Sequence, residues 1–373
     1  GLVFGPILGP LLGGWITDNF TWRWIFYINI PSGVVAVILA LIFVFDPPYL
    51  KRRAVKVDYL GLALLVLGIG SLQVMLDRGE MEDWFASTQI IVLALVAIIC
   101  IVSLVLWELM TEDPVIDLRA FADRAFTMGN VVMFLGFFSF FSSIVLLPIF
   151  LQNLMGYTAF LAGVVLGPGG IATLLAMPLV GRLIQRVQPS YLLGFGLVIS
   201  GYAVLLMSGF NLDVDFPGVL WPRVIQGLGI SFFFVPCGTM TLSTIAREKM
   251  GNATSILNFI RNIGGSFGVA FATTLLSQRS QFHHSRLGEN VSLLNPRAQW
   301  AIHEISTALG LKGFDDFSSS KGALEFLYKN LNLQARMLAF NDVFWLLSII
   351  FFLLAITLIL IRPRNSSSSF EPH

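Results

Sequence analysis

The sequence predicts an all-α membrane protein that crosses the bilayer about ten times, and three observations carry that prediction. Apolar residues make up 56% of the 373 positions and charged residues only 12%, too few to cover the surface of a soluble globule of this size. The apolar residues run in long charge-free blocks, and segment 125–181 holds no Asp, Glu, Lys or Arg. Basic residues gather in the short connections on one side of those blocks. Helices are required because backbone groups in lipid have no water to bond, and a barrel would need short alternating strands instead of continuous runs. The net charge of +1 is evenly mixed, which argues against nucleic acid, and Cys100 and Cys237 sit in apolar runs that suggest no disulfide framework.

Taken in order, the first helix reads GLVFGPILGPLLGG. Gly1, Gly5, Gly9 and Gly13 recur every four residues and form one stripe along which a neighbouring helix can approach, with Gly14 adding slack beside it. Pro6 and Pro10 each remove a helical hydrogen bond. Segments 24–45, 59–76 and 84–107 each supply one span. Segment 125–181 is too long for one span and breaks at the polar QNLMGYT of 152–158 into two. Segments 187–212, 224–246, 252–277 and 343–361 complete the count, with 278–338 read as a long external loop. Prolines 148, 168, 178 and 236 lie inside these spans and loosen them locally. Phe is abundant at 33, concentrated in 134–141 and 231–236, as core or lipid-facing filler and as lining for an apolar pocket.

Orientation follows from the short loops. Lys51, Arg52, Arg53, Lys56, Arg119, Arg124, Arg182, Arg186, Arg247, Lys249, Arg362 and Arg364 fall on one side, against only Arg23 and Arg78 on the other. The first side is therefore cytoplasmic, and so is the C-terminus. The chain opens on Gly1 with a helix already in progress, and an N-terminal truncation is expected.

Within the spans, two cations stand out. Arg261 lies nine residues into its helix, about 13 Å from the start and near mid-membrane, where a charge is costly unless it meets a polar cavity or a partner. Asn258, Gly265 and Gly268 share its face and Asn262 is adjacent, so this is read either as a cavity wall or as an arginine bonding neighbouring carbonyls. Arg223 and Gln226, three apart, share a face; Arg223 either belongs to the path or snorkels to the outer interface. Asp46, Asp58, Asp77, Glu108 and Asp342 all fall at span ends, so no carboxylate sits centrally to carry a proton. His283 and His284 are adjacent in a hydrophilic stretch without a completing ligand, and no nucleotide-binding loop or nucleophile elbow occurs. Neither metal, cofactor nor enzymatic activity is expected.

Several of these motifs carry a family resemblance. Gly5-x-x-x-Gly9-Pro10-x-x-Gly13-Gly14 resembles the antiporter motif in helix five of major facilitator drug exporters. WRWIFYINIPSG (22–33) resembles the turn between helices five and six of fourteen-helix drug:proton antiporters, and VDYLGLALLVLGIGSLQVMLDRG (57–79) is similar to the EmrB-type multidrug exporters of bacterial inner membranes. Arg223-x-x-Gln226-Gly227-x-Gly229 is similar to the family's helix-four motif, here in what would be helix twelve. Gly181 to Arg186 resembles a decayed cytoplasmic gating motif, with Gln185 at the usual acid position and Gln188 at a later glycine.

The resemblance implies a major facilitator fold with ten of fourteen helices present. Residues 1–46 would close the N-terminal six-helix bundle, 47–125 would be a linker carrying two extra helices, and 126–373 would be the C-terminal bundle with its loop and cytoplasmic tail. It further implies proton-coupled export of lipophilic drug-like molecules across the inner membrane, with a periplasmic adaptor and an outer-membrane channel as partners. The proton-carrying acid would then lie upstream. A nutrient uniporter or symporter on the same scaffold, and a non-transporting fragment, are the alternatives. The residues set for the path are Arg261, Asn258, Asn262, Arg223 and Gln226, in a cavity half that favours neutral or weakly acidic lipophiles over permanent cations.

Overall fold

The computed structural model describes residues 4–43, 58–111, 117–246, 249–289, 291, 295–312 and 314–360. Asp46, Gly1, Arg247 and the basic groups at 51–56, 362 and 364 lie outside the described residues, as does the tail. The helices are α1 (Phe4–Asn19), α2 (Trp24–Tyr27), α3 (Asn29–Phe43), α4 (Tyr59–Arg78), α5 (Thr88–Met110) and α6 (Arg124–Asn153), then α7 (Ala159–Leu183), α8 (Pro189–Met207), α9 (Phe216–Leu242), α10 (Met250–Gly288), α11 (Pro296–Gly310) and α12 (Asp316–Leu360). The described residues contain no strand.

Each expected span contains a helix among its described residues. Among the described residues, eight helical stretches are long and apolar enough to cross a bilayer. The remaining two fall short for different reasons: α1 has only 16 residues, and α10 carries Arg261 with Asn258 and Asn262. The break between α2 and α3 at Ile28 follows from Pro31, which has no N–H to give the carbonyl of Tyr27. Starts are set by side chains that accept from first-turn amides: Asp58 for α4, Asp123 for α6, Thr158 for α7 and Asp215 for α9.

The segment 278–338 corrects the expectation of a loop. Here α10 continues to Gly288, α11 forms a separate helix packed on α12, and α12 already begins at Asp316. At 1.5 Å per residue the 45 residues of α12 run about 67 Å, roughly twice the hydrocarbon thickness, so a helical projection stands beyond the last span. Polar residues alone suggested a loop, but a helix that leaves the membrane needs no new cap if it simply continues.

Asp342 pins the base of this projection. Its Oδ2 accepts from Arg279 Nε at 2.6 Å and meets His283 Nε2 at 2.7 Å, tying α12 to α10. Asp342 is thus not at a helix end, because α12 starts 26 residues before it, at Asp316, and not at the final apolar run.

Helices α6 to α10 and α12 pack as one bundle, with α8 on α9, α6 on α10, α7 on α9 and α8 on α12 as the main seams. Its core is aromatic: Phe140 meets Phe351 edge-on at 4.8 Å, and Phe150 stacks on Phe210 at 5.4 Å. Close seams are made by glycine. A Cβ at Gly227 would fall on the carbonyl of Gly169, so α7 and α9 touch backbone to backbone. Gly264 and Gly268 bring α10 equally close to the carbonyls of Phe134 and Phe138 on α6. Helices α4 and α5 form a pair of their own, joined to α10 in part through Trp84 Nε1, which donates to Thr274 Oγ1 at 3.1 Å. Helix α1 packs along α7, whereas α3 buries none of its residues.

Candidate functional site

A cavity of about 430 Å³ opens among α6, α7, α9 and α10. Helix α6 contributes Phe137, Phe140 and Phe141, and α9 adds Phe233 and Phe234. Helix α7 supplies Gly170 and Thr173. The two intramembrane arginines line the same space, Arg223 from α9 and Arg261 from α10, with Asn262 beside the latter. Among the described residues no Asp or Glu lines this cavity, so its field is positive and its walls are apolar.

Arg261 is half-buried, and its guanidinium lies 5.6 Å from the ring centre of Phe137 and 5.9 Å from that of Phe234. Each such contact is worth roughly 0.5–2 kcal/mol, which offsets part of the cost of a cation at this depth without neutralising it. The reading in which Arg261 bonds neighbouring carbonyls is thereby set aside in favour of aromatic faces at a cavity.

Arg223 is 3% exposed. Snorkelling toward the interface is therefore not what it does. Its Nη1 donates to Gln226 Oε1 at 2.7 Å, and Gln226 Nε2 donates to Ser143 Oγ at 2.6 Å on α6. Its Nε is buried and has no hydrogen-bond partner among the described residues. Thr173 Oγ1 stands 2.8 Å from Gly227 O and 2.9 Å from Gly169 O, bridging α7 and α9 where they approach most closely.

Of the residues singled out in the sequence, Arg223, Arg261 and Asn262 meet at the cavity, and Gln226 supports Arg223 from below its wall. Asn258 is exposed and lies outside it. Gly268 seats α10 on the α6 backbone and Gly265 faces the Phe141 ring, so this small-residue face is a helix seam and not an open wall. In the antiporter motif, Gly5 and Pro10 fall within α1, and a Cβ at Gly9 or Gly13 would meet nothing within 4 Å. The close approach belongs to Gly14, against the backbone of Ala159 and Phe160 on α7, where Asp18 Oδ2 also accepts from Phe160 N at 3.0 Å.

Sequence reasoning missed Ser143, Thr173 and Gly169. A serine inside a span ordinarily bonds its own helix, and nothing in the sequence marks Ser143 as reaching across. The Gly167-Pro168-Gly169-Gly170 run was a usable signal of close packing.

At the end of the bundle where α6 begins, a short 3₁₀ turn at Leu118–Ala122 leads into that helix. Lys249 Nζ donates to Asp117 Oδ2 at 3.0 Å, and this bond holds the Asp117 carboxyl below the usual carboxylate range. Asp123 is lowered too, first by a hydrogen bond from Thr244. Both join this turn to the connection between α9 and α10.

Comparison with known proteins places the chain in a family. The family model described as Major Facilitator Superfamily matches residues 1–269. The chain is 38% identical over 356 residues to the multidrug export protein EmrB of Escherichia coli (strain K12), covering 95% of this chain and 67% of that protein. It is 36% identical over 370 residues to EmrB of Haemophilus influenzae, covering 97% and 69%. It is 35% identical over 367 residues to the fatty acid resistance protein FarB of Neisseria gonorrhoeae, covering 97% and 70%.

Proposed function

The chain belongs to the major facilitator superfamily, and from that premise we propose that its aromatic cavity is one half of an outward path for lipophilic compounds, driven by the proton gradient. The protein is a multidrug efflux transporter and not an enzyme, and it is a multi-pass protein of the inner membrane. Five phenylalanines and two arginines around one space with no acid among its described lining carry the finer reading. Apolar walls accept many shapes because burial is non-directional. A fixed positive field repels permanent cations and favours neutral or weakly acidic guests. FarB, named for fatty acid resistance, is a relative whose name accords with such guests.

Arginine stays protonated at all working pH, so neither Arg223 nor Arg261 relays the proton, and the carrier lies outside this cavity. Arg261 acts as a fixed charge that a substrate anion or the carrier's carboxylate can meet. The C-terminus is taken as cytoplasmic, and the helical projection of 278–338 as the surface that meets a periplasmic adaptor leading to an outer-membrane channel.

The test is transport by the full-length protein in inverted membrane vesicles. An acid lumen should drive uptake of a lipophilic weak acid, and collapse of the gradient should stop it. Uptake indifferent to the gradient would return the chain to a uniporter reading.

A further inference from the structure

We infer that Ser143 is a specificity-determining positioning residue: through Gln226 it orients Arg223 so that the cavity grips anionic guests. The inference rests on the cavity being the substrate path. Ser143 is 1% exposed in the middle of α6, and its hydroxyl donates to Phe140 O at 2.8 Å. A hydroxyl has one proton, so toward Gln226 the oxygen can only accept. That fixes the amide of Gln226 with its NH2 group toward Ser143 and its carbonyl toward Arg223 Nη1. The opposite amide orientation would aim N–H donors at a cation. The guanidinium and the serine on α6 thus demand the same amide orientation, and the serine anchors the end of the glutamine that the guanidinium does not hold.

Gly169 closes the other side. A Cβ there would stand 2.9 Å from both Cγ and Nε of Arg223, so α7 lies against the side chain and leaves it little room to swing. Held this way, Arg223 keeps its charge without a carboxylate partner among the described residues, and it faces the same space as Arg261. Neutral guests need only the apolar walls. An anionic head needs the guanidinium in one orientation, which is what the relay from Phe140 O through Ser143 and Gln226 provides.

The experiment measures binding to the full-length protein in detergent, using 11-dansylaminoundecanoic acid and its carboxamide as fluorescent probes. Ser143→Ala should raise the Kd of the acid about 10-fold, since one charge-assisted contact is lost, and change that of the amide less than 2-fold. Ser143→Thr, which restores the hydroxyl, should bring the acid back to within about 3-fold of the parent. If the alanine variant loses its melting transition, Ser143→Cys keeps the volume but accepts a hydrogen bond poorly, and the same split is expected of it. Equal weakening of both probes, or no change in either, would overturn the inference. If the parent protein binds neither probe, the cavity reading fails and this inference with it; if the parent binds the acid and Ser143→Ala does so equally well, only the inference fails.

Discussion

At the scale of single residues, charge and its partners decide the outcome. Arg261 was visible in the sequence because a cation nine residues into an apolar run is costly unless a cavity or neighbouring carbonyls receive it, and the rings of Phe137 and Phe234 supply its setting. Arg261→Ala should insert normally yet lower export at least 10-fold, which drug-resistance titres alongside a membrane-fraction blot would check. Undiminished export would reduce Arg261 to a packing role. Asp117 gives a pH prediction. Its folded carboxyl titrates below its unfolded value, so the stabilisation it lends is present above about pH 4 and is lost as pH falls through the folded value. Lys249→Gln removes the main cause and should move that loss up toward the ordinary carboxylate range. The labelling rate of a cysteine placed at Ala120 reports it, in a background lacking Cys100 and Cys237. Ser143 shows the limit of reading residues singly: its partner is 83 positions away, and only folding makes them neighbours.

At the scale of elements, the spans were legible and their lengths were not. Apolar runs located the helices, eight of which are long and apolar enough to cross a bilayer among the described residues, because lipid permits few alternatives to a helix. Helix α10 passed unnoticed out of its apolar stretch into the polar one up to Gly288, since helical geometry persists wherever the i to i−4 bonds continue. The glycine stripe of α1 was legible as a packing device, but the contact fell on Gly14, because a stripe says that a partner can approach and not where it stands. Within α9 two glycines make a controlled pair. Gly227→Ala drives a Cβ into the Gly169 carbonyl, which cannot move aside, and should destabilise by about 2–4 kcal/mol. Gly238→Ala meets nothing within 4 Å and should be neutral or stabilising by roughly 0.5–1 kcal/mol. Melting curves of the two variants in one detergent give the comparison, and equal shifts would sink the seam as drawn.

At the scale of the whole molecule, the prediction concerns substrate charge. A cavity with two arginines and no acid among its described lining should protect cells against lipophilic weak acids and neutral compounds at least 10-fold better than against quaternary ammonium dyes of similar size. Resistance profiles in a strain stripped of other pumps measure this, and protection confined to the dyes would refute it. The sequence by itself determined the membrane setting, the helical class, the family likeness and the two cations within the apolar runs, because lipid imposes apolarity over about 20 residues and makes any departure conspicuous. Only the tertiary structure decided that Arg223 and Arg261 face one space, that Gln226 and Ser143 orient the first, and that the Gly265–Gly268 face packs instead of opening. Composition fixes a helix's solvent, but which of its faces meets which neighbour depends on rotations and crossing points set by interlocking side chains over the entire bundle.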